Sequence, residues 1–204
     1  MKKLFLASSF SDVANIFASF EANLSGKTVT FIPTASMVEK IAFYVNSGKK
    51  ALEKYGLIVD VLDVSTATTD QIKAKLNGND LIYVTGGNTF FLLQELKRKG
   101  ADKIIIDEVN AGKPYIGESA GAMITSADIE YVKAMDSVKK APDLESFDAL
   151  NLVDFYTIPH YDNAPFKKIT RKIVDSYSST LNLSPISNNE AILVENDNVK
   201  LEKN

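Results

Sequence analysis

Short runs of β-branched and aliphatic residues recur along this chain, separated by longer amphipathic stretches, and that alternation is the pattern of an α/β protein with a largely parallel sheet. The runs Lys3 to Ala7, Thr28 to Ile32, Ile58 to Leu62, Asp80 to Val84, Pro114 to Ile116, Phe155 to Ile158 and Ala191 to Val194 read as buried strands. Seven of them would make a fair-sized central sheet. Between them, Asp12 to Phe20, Val38 to Tyr55, Thr69 to Leu76, Thr89 to Lys99, Lys103 to Asn110 and Phe166 to Tyr177 carry apolar residues at helical spacing, with charges between. Gly100, directly after Lys97, Arg98 and Lys99, reads as a helix stop preceded by cations that suit the carboxyl end of a helix. Asp128 to Glu145 fits neither period and reads as a loop or irregular hairpin; the polar tail Asn196 to Asn204 is expected to fray.

No repeat, low-complexity tract or Pro/Gly/Ser linker divides the 204 residues, and two cores would leave each half small, so one domain over 1–204 is expected. The 23 basic and 26 acidic side chains nearly cancel, which leaves no electrostatic footprint for nucleic acid. The chain has no cysteine, so disulfides, thiolate metal sites and cysteine nucleophiles are excluded together. The apolar stretch after Lys2 and Lys3 is broken by Ser8, Ser9, Ser11 and Asp12, and no run approaches the ~18 apolar residues of a membrane helix. A soluble, cytoplasmic protein without a membrane partner is the expectation.

The sharpest chemical signal is Gly117-Glu118-Ser119-Ala120-Gly121, a GxSxG sequence that follows the apolar Tyr115-Ile116 and precedes the helix-compatible Ala122-Met123-Ile124. A serine between strand and helix sits in a strained turn, and flanking glycines let neighbouring backbone pass closely. As a mere turn with a serine cap the pentapeptide would be unremarkable; its place after a strand makes Ser119 a candidate nucleophile. The Ala120 amide then becomes a candidate oxyanion donor.

A serine hydroxyl needs a base, and His160 is the single histidine of the chain. It follows the strand-like Phe155 to Ile158 and Pro159, which places it at a strand carboxyl end, the edge where open α/β sheets bind ligands. The third member should be a carboxylate that orients the imidazole. Glu190, directly before the run Ala191 to Val194, is the first choice, with Asp136, Asp162 and Asp128 as alternatives. A second glycine turn, Thr85-Gly86-Gly87-Asn88-Thr89, offers the Gly87 amide as second oxyanion donor, with Asn88 anchoring the loop, starting the next helix or facing substrate. That turn matches neither Walker A nor GxGxxG spacing, so no nucleotide cofactor is expected.

Four ordered segments, VTGGNTFFLLQ (84–94), YIGESAGAM (115–123), SFDALNL (146–152) and IPHYDNAP (158–165), resemble the peptidase S51 family, typified by aspartyl dipeptidase (dipeptidase E). The resemblance implies a class I glutamine amidotransferase-like, flavodoxin-like three-layer α/β fold, no metal or other cofactor, and a serine, histidine and acidic triad. Ser119 and His160 fall on its nucleophile and base motifs, Glu190 looks like its glutamate, and Asp136 lies about where the family has another important aspartate. Met123 stands where the dipeptidase usually has asparagine, and the segment after Asn163 is shortened where that enzyme has a basic residue; Lys167, Lys168 or Arg171 could take that place. The expectation is a serine peptidase acting on short peptides, as monomer or homodimer. An esterase or amidase with the same triad, or a non-catalytic small-molecule binding protein, are the alternatives.

Overall fold

A computed structural model describes residues 1–204. Its strands are β1 (Lys3–Ala7), β2 (Thr28–Ile32), β3 (Ile58–Val61), β4 (Leu81–Val84), β5 (Tyr115–Glu118), β6 (Tyr156–Ile158), β7 (Leu183–Pro185), β8 (Glu190–Glu195) and β9 (Asn198–Lys203). Its helices are α1 (Phe10–Phe20), α2 (Phe43–Lys54), α3 (Thr69–Gly78), α4 (Thr89–Lys99), α5 (Ala101–Asn110), α6 (Ala120–Met123) and α7 (Lys167–Tyr177). Seven strands form one sheet in the order β3-β2-β4-β5-β1-β8-β9. The first five of these run parallel, while β8 is antiparallel to β1 and β9 antiparallel to β8.

The mostly parallel α/β architecture expected from the alternation, and the three layers that the resemblance implies, are observed. Period-two alternation makes its two cores. Leu4 and Leu6 of β1, with Ile82 and Val84 of β4, face the side covered by α3, α4 and α5. Phe5 and Ala7, with Leu81 and Tyr83, face α1 and α2 together with Phe10, Phe17, Phe31 and Leu52. On β5, Tyr115 belongs to the first face and Ile116 to the second, so Glu118, two residues beyond Ile116, points towards α1 and α2.

Three expectations are corrected. The run ending at Ile158 is a strand, but it pairs with β7 in a separate two-stranded parallel sheet and not with the central one. The tail is not frayed: Asn198–Lys203 form the edge strand β9, with Val194 opposite Val199 and Ile192 opposite Leu201. Helix α2 starts at Phe43, not near Val38, because Thr34–Ser36 form a 3-10 turn whose Ala35 carbonyl accepts the Asn88 N–H at 2.8 Å. The stretch 128–145 is irregular as expected, with two 3-10 turns and a lone antiparallel bridge from Asp128 to Asp148. No helix is long and apolar enough to cross a membrane.

Candidate active site

The carboxyl ends of β1, β4 and β5 lie side by side and carry Ser8, the Gly86-Gly87 turn and Ser119. Ser119 has φ 50° and ψ −104°, a conformation that costs a non-glycine residue on the order of 1–3 kcal/mol and aims its side chain out of the strand-to-helix turn. The turn is held from both sides: the Ser119 N–H donates to the Ala7 carbonyl at 2.8 Å, and the Tyr115 hydroxyl donates to the Gly121 carbonyl at 2.6 Å. Both glycines of the motif are required sterically. A Cβ on Gly117 would stand 2.5 Å from the Gly121 carbonyl oxygen, and one on Gly121 would stand 2.2 Å from that of Val84.

His160 reaches Ser119 as its position in the sequence suggested: Nε2 lies 3.1 Å from Ser119 Oγ. The loop that carries it is anchored through Ser8, whose hydroxyl accepts the His160 backbone N–H at 2.9 Å and donates to the Ile186 carbonyl at 3.0 Å. Ser8 is fully buried, and nothing in its sequence context marked it. The imidazole stacks on the Phe166 ring at 4.8 Å between centroids, which fixes its plane. Burial lowers the His160 pKa below its ordinary 6.5, opposed by the Asn188 hydrogen bond and by Asp12. The ring is therefore neutral at pH 7 and able to accept a proton.

The orienting partner is not the expected carboxylate. Nδ1 of His160 faces Asn188 Oδ1 at 2.8 Å, so the amide oxygen accepts the Nδ1 proton and leaves Nε2 free to accept from Ser119. Asn188 is itself held by its N–H, which donates to Asn163 Oδ1 at 2.9 Å. Glu190 turns away: its carboxylate accepts from the Ser187 N–H at 2.8 Å and the Ser187 hydroxyl at 2.7 Å, which also lowers its pKa. The other acids do not face the imidazole either. Asp136 accepts from the Thr89 N–H and hydroxyl at 2.8 and 2.6 Å, capping α4. Asp128 accepts from Tyr156, and Asp162 pairs with Arg171. An amide oxygen serves this orienting role opposite histidine in papain-like sites, so the geometry is chemically sufficient.

This arrangement yields a prediction. Asn188→Asp places a negative charge beside Nδ1, raises the His160 pKa and moves the acid limb of the pH–rate profile to higher pH. Asn188→Ala leaves the ring without its acceptor and lowers kcat by about 10–100-fold, short of the ~10⁴-fold loss that a wrong tautomer causes. Activity against pH for the two variants checks both.

The oxyanion side is built on the glycine turn. Gly87 has φ 135°, and a Cβ there would stand 2.2 Å from the Ala35 carbonyl oxygen; one on Gly86 would stand 3.2 Å from Ser119 Cβ. The Gly87 N–H donates to no protein acceptor, and the Ala120 N–H, first in α6, precedes the first intrahelical bond. Asn88, expected as a possible substrate contact, is taken up structurally: Oδ1 accepts the Phe91 N–H at 2.9 Å and Nδ2 donates to the Ser137 carbonyl at 3.2 Å. Arg171 lies exposed on α7, paired with Asp162 at 2.6 Å. No group of three or more histidine, cysteine or acidic side chains is arranged to hold a metal ion.

Comparison with known proteins places this geometry in context. The model of peptidase family S51 matches residues 4–202. The chain is 66% identical over 199 residues to the uncharacterized peptidase Lin0382 of Listeria innocua, covering 98% of this chain and 95% of the relative. It is 33% identical over 143 residues to peptidase E of Haemophilus influenzae, covering 70% of this chain and 62% of that protein. A crystal structure from Listeria monocytogenes EGD-e, named provisionally as a peptidase E protein, superposes with a TM-score of 0.97 at 61% identity, covering 100% of this chain and 98% of the other.

Proposed function

The chain belongs to peptidase family S51, and on that premise we propose that it is a peptidase E-like serine peptidase that hydrolyses short peptides through an acyl-enzyme on Ser119. The observation that carries this reading is the hydrogen-bonded chain Ser119 Oγ, His160 Nε2, His160 Nδ1, Asn188 Oδ1, with links of 3.1 and 2.8 Å.

In this mechanism His160 Nε2 takes the Ser119 proton as Oγ attacks the peptide carbonyl carbon. The C=O electron pair moves onto oxygen, and the Gly87 and Ala120 amides donate to the oxyanion. Each such donor is worth about 3 kcal/mol of barrier. Collapse of the tetrahedral intermediate breaks the C–N bond, and the amine leaves with the proton held at Nε2. Water then attacks the ester carbonyl with His160 again as base, releasing the acid and restoring the Ser119 hydroxyl. Throughout, Asn188 Oδ1 holds the Nδ1 proton and stabilises the imidazolium that forms.

Short peptides are favoured over acidic ones in particular. Of Lys167, Lys168 and Arg171, the candidates for a substrate carboxylate, Arg171 is already paired with Asp162. The expected result of a dipeptide panel is cleavage of members with neutral N-terminal residues by the wild type and none by Ser119→Ala. Cleavage confined to Asp-X members would replace the substrate assignment; equal cleavage by the variant would end the serine mechanism.

A further inference from the structure

Glu118, the last residue of β5, directly precedes the nucleophile, is 3% exposed, and takes no part in the proton transfers above. Its side chain points to the α1 and α2 face, opposite the cores of α3 to α5. There two donors from two segments converge on one carboxyl group. The Phe10 N–H, in the first turn of α1, donates to Oε1 at 2.9 Å, and the Tyr83 hydroxyl of β4 donates to Oε2 at 2.8 Å. The cluster is sealed by α2, which comes so close that a Cβ on Gly48 would stand 2.5 Å from the Tyr83 hydroxyl oxygen and 3.7 Å from Glu118 Oε2. A neutral amide of the same size has one accepting oxygen, so only the carboxylate can accept from donors on both of its oxygens.

We propose that Glu118 is a positioning residue: its buried carboxylate ties the nucleophile turn to Tyr83 of β4, the strand that leads into the glycine turn, and so fixes the Gly87 N–H where the oxyanion forms. The inference rests on the reading of Ser119 as nucleophile and Gly87 as oxyanion donor. The physical argument is one of covalent adjacency. Glu118 precedes Ser119, and Tyr83 lies in the strand that runs directly into Gly86 and Gly87, so the bond between Glu118 and Tyr83 holds the two turns at a fixed spacing. Gly86 packs directly on Ser119, with an added Cβ only 3.2 Å from Ser119 Cβ, so a shift of the turn is felt at the nucleophile.

The same cluster makes the device sensitive to pH. Burial raises the Glu118 pKa to about 7, against the lowering effect of the Phe10 and Tyr83 hydrogen bonds; Asp12 of α1 adds a raising influence, and Tyr83 of β4 and Tyr44 of α2 are the other titratable groups beside it. Protonation turns an acceptor into a donor and loosens one of the two bonds. Because the folded pKa lies above the ordinary 4.5, the group favours the folded state below pH 4.5, and that contribution is lost as pH rises through about 7.

The experiment compares wild type, Glu118→Gln and Tyr83→Phe, with Ser119→Ala as blank, in two assays across pH: dipeptide hydrolysis and the rate of Ser119 labelling by a fluorophosphonate. Glu118→Gln is expected to lower kcat and labelling by about 10–100-fold with KM unchanged, the size of effect that a misplacement near 1 Å produces. Its acid limb moves down from near pH 7 to that of His160, below 6.5. Tyr83→Phe removes a donor that lowers the Glu118 pKa and moves the limb up. Thermal midpoints of wild type and Glu118→Gln against pH report the same titration without reference to activity, and the wild type alone should lose stability between pH 4.5 and about 7 relative to the variant. Wild-type labelling rates and an unmoved acid limb in a folded Glu118→Gln would overturn the inference while leaving the peptidase intact. Absence of Ser119-dependent peptide turnover in the wild type would overturn the peptidase reading instead, and the labelling rates would still decide the role of Glu118.

Discussion

Peptide hydrolysis by Ser119→Ala is expected to fall by about 10⁴- to 10⁶-fold in kcat, the range seen when a nucleophile that acts as a unit with its base is removed. The reason is chemical: with the hydroxyl gone, no group within reach of His160 Nε2 can form the acyl-enzyme, and the remaining oxyanion donors supply only a residual rate over water. Folding should be almost unaffected. Ser119 Oγ makes its one protein hydrogen bond to His160, and the turn is held by backbone contacts to Ala7 and by Tyr115, which the substitution leaves in place. A double variant with His160→Ala should be no worse than either single variant by more than a few-fold, because the two side chains perform one step together. Steady-state kinetics with the melting temperature as a control check these expectations.

Gly121→Ala is expected to fail in the opposite way, by losing the fold around the site. The added methyl would lie 2.2 Å from the Val84 carbonyl oxygen and 2.9 Å from Val84 Cβ, and both belong to a central strand paired on each side. Neither backbone can yield without opening the sheet, so the cost is about 3 kcal/mol or more. For a chain of 204 residues this corresponds to a midpoint lower by about 6–12 °C. Gly78→Ala is the internal control: nothing lies within 4 Å of its added Cβ at the end of α3, and the substitution should be neutral or slightly stabilising. A thermal melt of the two variants beside the wild type separates them directly.

The contrast between those two glycines shows what could be read from the sequence and what could not. Strands β1, β2 and β4 were legible because they are almost wholly buried and so appear as short runs of aliphatic, aromatic and β-branched residues: β1 and β2 occur where the runs predict them, residue for residue. Helix α4 was legible for the same kind of reason, with Asn88 as its cap and Gly100 in the left-handed conformation at its end. The nucleophile turn followed from two glycines at fixed spacing, since that spacing encodes a steric need.

Other features leave no such trace. Strand β9 is exposed over almost its whole length, so its polar composition resembles a loose tail until its pairing with β8 is known. An apolar run does not state which sheet it joins, and β6 joined β7. The contact of Asn188 with the imidazole was not legible because a search for a charged partner passes over a neutral amide: Asn188 stands two residues before Glu190, and only the path of the 186–190 loop decides which of them meets the imidazole. Ser8 was passed over in the same way, because a buried serine hydroxyl carries no pattern until the two loops it joins are in place. Asp136 was noticed as an acid near the site, but its two bonds to Thr89 make it a cap of α4.

The central claim is that Ser119 is the nucleophile and that His160 activates it. Mass spectrometry of the protein after reaction with a fluorophosphonate at pH 8 tests this most directly. The predicted result is a single phosphonyl adduct on Ser119 in the wild type, none in Ser119→Ala, and labelling slowed by at least about 100-fold in His160→Ala. An adduct on another residue, or peptide hydrolysis that survives in Ser119→Ala, would contradict it.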